Sequence, residues 1–107
     1  MKNTAKKWND NGEKLTLVRS TYSNNGLPYF GFYTKDGEPY CDISCNTEEN
    51  EKGTITLDHN FMSMCPSLCV QFVERYCGKE IEEISSGFIT MPKYELKDSI
   101  FEEATEL

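Results

Sequence analysis

Five cysteines and one histidine are the residues of this 107-residue chain whose types and spacing most directly suggest chemistry. Four of the cysteines form two Cys-x-x-x-Cys pairs, Cys41/Cys45 and Cys65/Cys69, with His59 and Cys77 nearby in sequence. Residues four apart share a face on a strand and on a helix alike. Four sulfurs can therefore converge between the two, and zinc takes such a tetrahedral set. Structural zinc sites, however, place their pairs on turn knuckles rather than in the middle of a strand. Cysteine is also among the most buried residue types in its own right. The reading adopted is core thiols, with no metal and no cofactor, and a zinc-stabilised domain as a lesser alternative. Cysteine nucleophile chemistry needs a base, for which His59 is the one imidazole, and no third residue orients it. No glycine-rich phosphate loop, dinucleotide fingerprint or metalloprotease motif occurs. The expectation is a protein without catalysis.

The second chemistry is that of tyrosines beside carboxylates. Formal net charge is −7, unevenly spread. Residues 1–20 hold five basic and two acidic side chains, whereas residues 36–58 hold seven acidic ones and Lys52 alone as a base. Such a balance excludes a direct grip on nucleic acid, which needs a positive surface. It suits a basic protein partner. Tyr29, Tyr33, Tyr40, Asp42, Glu48, Glu49 and Glu51 are the candidate partner-binding set. Tyrosines supply large contact area at low entropy cost. The bland alternatives are simple solubility for the charge, and a tyrosine face covered by Trp8, the C-terminal helix or a second layer.

The elements that position these residues follow from periodicity and turn chemistry. Strands are expected at about 15–22, at 29–34, at 40–45 and at 54–57. Asp36-Gly37 reads as a two-residue hairpin loop. It pairs Phe32 with Cys41, Phe30 with Ile43, Tyr33 with Tyr40 and Tyr29 with Ser44. Cross-strand partners share a face. One face is then Phe30, Phe32, Cys41, Ile43 and Cys45. The other is Tyr29, Tyr33, Tyr40, Asp42 and Ser44.

Pro66 suits a first helical position, with Cys65 as N-cap. Leu68, Cys69, Phe72, Val73 and Tyr76 then form an apolar stripe to about residue 77, closed by Gly78 in a left-handed conformation. So short a helix must dock, and the apolar sheet face is its partner. Residues 79–86 read as a connection. Residues 87–91 and 94–96 read as a last strand broken at Pro92, which marks an edge or a bulge. Ser99 and Glu102 have capping-box spacing ahead of a short C-terminal helix. The expected architecture is a single α+β domain over residues 1–107, an antiparallel four- to five-stranded meander with one helix on one face. Without a leader or a membrane span in the sequence, the expected setting is the cytoplasm, with no membrane partner.

Three short motifs carry a resemblance: Gly37-Glu38-Pro39-Tyr40, Ser44-Cys45-Asn46, and Ser86-Gly87-Phe88 ahead of Pro92 and Tyr94. Over roughly residues 8–96 the chain resembles a family of small bacterial proteins of unknown function carried on phages and conjugative elements. The resemblance implies a bacterial host cell and an accessory gene of a mobile element. Small acidic proteins in that setting include inhibitors of host defence of the anti-CRISPR and anti-restriction type. The functional expectation is therefore an inhibitor that occupies the basic surface of a nucleic-acid-handling protein, such as a CRISPR or restriction effector. The alternative is a self-assembling accessory protein of a conjugative element, with the tyrosine face as its homodimer contact.

Overall fold

The structure is a computed structural model that describes residues 7–23, 26–45 and 53–107. It is α+β and mostly antiparallel strand. The elements in order are β1 (Trp8–Asp10), β2 (Glu13–Thr21), β3 (Pro28–Thr34), β4 (Pro39–Asp42), β5 (Thr54–Thr56), α1 (His59–Met64), α2 (Pro66–Tyr76), β6 (Cys77–Ser86), β7 (Ile89–Leu96), α3 (Ile100–Glu103) and β8 (Thr105–Glu106). The larger sheet runs β1-β2-β3-β4, and β8 adds to β2 in parallel. A second, three-stranded sheet runs β5-β7-β6. A bridge between Ser44 and Leu57 links the two.

The hairpin of β3 and β4 keeps the expected pairing of Phe32 with Cys41 but not the expected loop. The Gly37 N–H donates to the Thr34 carbonyl, and the Thr34 N–H donates to the Glu38 carbonyl. The loop therefore has three residues, Lys35 to Gly37, with Gly37 at φ 87° as its left-handed residue. One residue is then surplus on β4. The pairing shifts so that Tyr33 faces Pro39, and Tyr40 becomes the bulge residue.

α2 spans nearly the expected residues and buries Leu68, Phe72 and Tyr76, one turn apart, with Cys65 as N-cap and Pro66 in its first turn. Each such burial contributes roughly 1.5–3 kcal/mol as an upper bound. Phe30, Phe32, Ile43, Phe61, Leu68, Phe72, Tyr76 and Ile100 are completely buried in one cluster. Trp8 joins it, its ring 5.0 Å from that of Phe32 and 6.2 Å from that of Tyr76. The Tyr76 hydroxyl donates to Glu103 Oε1 at 2.7 Å, and Arg75 pairs with the same carboxylate at 2.8 Å. That network ties α3 to the end of α2.

Several local expectations are corrected. A short helix, α1, precedes the α2 that the sequence predicts: Asp58 caps it by accepting the Asn60 N–H at 2.8 Å, and Phe61 anchors it in the core. Gly78 does not terminate α2. The chain leaves through Cys77 in extended conformation and passes straight into β6. Residues 79–86 belong to the longest strand, and Ser86 pairs with Ile89 around a Gly87-Phe88 loop. Pro92 sits in a continuous β7, the central strand of its sheet. Its missing N–H is tolerated because the β5 ladder begins at Lys93, while its carbonyl accepts from Leu57. Ser99 is helical and forms no side-chain cap, so the capping box is not made. No helix among the described residues is long and apolar enough to cross a membrane.

Candidate partner-binding surface

β4 is an edge strand, so its residues border both faces of the larger sheet. On the face away from α2, alternation along β3 presents Tyr29, Gly31 and Tyr33. Tyr29 lies across Gly31, and its hydroxyl donates to Asp42 Oδ1 at 2.6 Å. Burial, then the Asp42 carboxylate, then Tyr33 push the Tyr29 hydroxyl well above its ordinary pKa. Tyr22 extends this face, with its ring edge-on to Tyr29 at 5.7 Å. The Tyr22 hydroxyl meets Ser44 Oγ at 2.9 Å, and that same oxygen accepts the Phe30 N–H at 3.1 Å. Neither Trp8 nor α3 covers the tyrosines. Trp8 packs on Phe32, and Phe101 of α3 packs 5.7 Å from Phe30, both on the core side. Tyr22, Tyr29 and Tyr33 stay half-exposed.

The bulge sends Tyr40 elsewhere. Its ring packs against the core cluster, and its hydroxyl donates to Asp10 Oδ2 at 2.8 Å. That bond, and then burial, push it up to about 12. The expected tyrosine face thus keeps Tyr29, Tyr33 and Asp42 and loses Tyr40. Tyr40 instead lines a groove of about 540 Å³ between the β4 edge, the Asn11 turn and α1. Asp10, Asp42 and Asp58 line this groove over Cys41, Phe61, Met64 and Cys65. Met64 is largely exposed there. Among the described residues no cation pairs with any of the three carboxylates; the ion pairs present are Arg19–Glu106, Arg75–Glu103 and Lys93–Glu82. Asp42 belongs to both surfaces and joins them into one band around the strand edge.

The thiols are placed as packing atoms. Cys65 and Cys77 are buried; Cys41, Cys45 and Cys69 are half-buried, and none of the five forms a disulfide. Burial and the neighbouring Cys65 push Cys41 up to about 12, and burial does the same to Cys77. A thiol raised so far carries little thiolate at neutral pH and is a poor nucleophile. His59 is exposed at the start of α1. Among the described residues no group of three or more His, Cys, Asp or Glu is arranged to hold a metal ion.

The chain matches no protein-family model, no curated protein and no solved structure. The surface itself is therefore the basis for a functional reading. Tyr29, Tyr33 and Asp42 stand where the sequence places them, and Tyr40 has moved to the groove. Glu48, Glu49 and Glu51 lie outside the described residues. Asp10, Asp58, Met64 and Tyr22 were not anticipated. Two of them carry a sequence signal: Asp10 precedes the Asn11-Gly12 turn, and Asp58 stands in N-cap position before α1.

Proposed function

We propose that the protein is a non-catalytic binding protein that engages a basic protein surface through the band around β4. The observation that carries this reading is the groove lined by Asp10, Asp42 and Asp58 with no cation on any of them among the described residues. An arginine or lysine stem fits its apolar floor while its head meets the carboxylates. The adjoining Tyr22, Tyr29 and Tyr33 supply the aromatic area found at protein interfaces. A partner surface of that kind is what nucleic-acid-handling proteins carry. The resemblance to mobile-element proteins makes the reading specific: an inhibitor that occupies the nucleic-acid surface of a host defence protein. Pairing with a second copy through this band sets its carboxylates against their own kind, which is unfavourable.

The test is affinity capture from bacterial host lysate at low and high salt, followed by titration of the captured partner. Binding is expected to weaken steeply with salt, to be lost in D10N/D42N/D58N, and to compete with the partner's nucleic acid. E48K/E49K/E51K, measured in parallel, tests the acidic segment independently. Salt-insensitive binding, or a D10N/D42N/D58N variant of unchanged affinity, refutes the proposal.

A further inference from the structure

A second cavity, of about 370 Å³, is lined by Arg19, Ser20 and Thr21 of β2, by Gly26 and Pro28, by Gly53, and by Asp98 and Phe101 near the C-terminus. Unlike the acidic groove, it holds a cation, Arg19, beside a carboxylate, Asp98. Arg19 Nε is the one buried side-chain nitrogen or oxygen without a hydrogen-bond partner among the described residues. Buried donors are almost always satisfied, and one on a cation is the most costly to leave open. Among the described residues the only carboxylate paired with this guanidinium is Glu106, at a long 3.7 Å, and the Glu106 side chain is 72% exposed. Arg19 is therefore weakly engaged by the described residues around it. Phe101 and Pro28 give the cavity apolar walls.

We propose that this cavity binds a small monocarboxylate with an apolar body. The carboxylate takes Nη2 in place of Glu106, and a turn of the side chain closes the Nε–Nη2 fork on it, the bidentate geometry that arginine favours. The apolar body lies against Phe101 and Pro28. A dianionic phosphate fits less well, because Asp98 lines the same cavity and Arg19 is the one cation that does so among the described residues. The volume is that of a small-molecule pocket rather than a macromolecular groove. This site is independent of the band around β4, and either can fail without the other.

The experiment is an NMR titration of the whole protein that follows the Arg19 Nε–H and Phe101 ring resonances. The probes are 3-phenylpropionate, 2-phenylethylamine and inorganic phosphate. The expected result is saturable shifts of both resonances by 3-phenylpropionate at millimolar concentration, and none by the amine. R19Q, and R19K which keeps the charge but not the fork, should each raise the dissociation constant by about tenfold or more, while the melting temperature stays close to that of the parent. F101A should weaken binding severalfold with the Arg19 resonance still responding at high ligand. The proposal is overturned if 3-phenylpropionate gives no saturable shift, if the amine or phosphate binds as well as the carboxylate, or if R19K binds as tightly as the parent.

Discussion

Two tyrosine–aspartate pairs flank β4, and they differ in almost everything but their chemistry. Tyr29 and Asp42 meet at 2.6 Å over Gly31, on the open face of the sheet. Tyr40 and Asp10 meet at 2.8 Å at the rim of the groove, on the core side. Burial is the main cause of the raised pKa in the first pair, whereas the hydrogen bond itself is the main cause in the second. A single surplus residue in β4 separates them. Without the bulge Tyr29, Tyr33 and Tyr40 would share one face, and the groove would lack its tyrosine. The difference shows how one turn residue distributes a sticky surface around a strand edge rather than over a flat sheet.

The comparison can be broken most completely from beneath. Phe32 is wholly buried in β3 and contacts Trp8 and Phe61. Phe32→Ala should cost about 3–5 kcal/mol and remove both pairs together, read as a large shift in the denaturant midpoint. Gly31→Ala separates the pairs. A Cβ there collides with the Tyr29 hydroxyl and comes within 3.2 Å of the Cys41 carbonyl. Tyr29 must swing off Asp42, at about 1–3 kcal/mol, while the Tyr40–Asp10 bond persists; tyrosine hydroxyl NMR would show one signal lost and the other kept.

Alkaline pH acts on both pairs with one sign. Tyr40 and Tyr76 are raised from 10.0 to about 12, and Cys77 from 9.0 to about 12. A group held protonated in the fold stabilises it fully below its unfolded pKa, and that contribution fades as pH climbs to the folded value. Stability should therefore fall from about pH 9 to about pH 12. Tyrosinate absorbance should rise later than in a free peptide. The smallest effects separate the pairs again. Tyr40→Phe should cost about 1 kcal/mol, and Tyr29→Phe less, because the exposed Asp42 regains water more readily than the half-buried Asp10.

How much of this was legible in the sequence depended on local signals. The β3–β4 apolar face and the α2 stripe were readable because alternation and helical spacing are strong there: Phe30 and Phe32 in one, Leu68, Phe72 and Tyr76 in the other. β6 was not, because Lys79, Glu80, Glu82 and Glu83 have weak strand preference and its two bulges blur the alternation. The Tyr40 placement was missed for a finer reason. Asp36-Gly37 fits a two-residue and a three-residue loop equally well, and the choice moves one side chain to the other face. Asp10 and Asp58 are far apart in sequence, and only the fold brings them to one groove. The tyrosine face was legible in outline, with Tyr22 added by the return of β2.

The most direct measurement is the affinity of the captured partner for the parent protein and for D10N/D42N/D58N across a salt series. The binding account predicts a steep loss of affinity with salt for the parent, and weak, salt-flat binding for the variant. Equal affinities with equal salt slopes would contradict it.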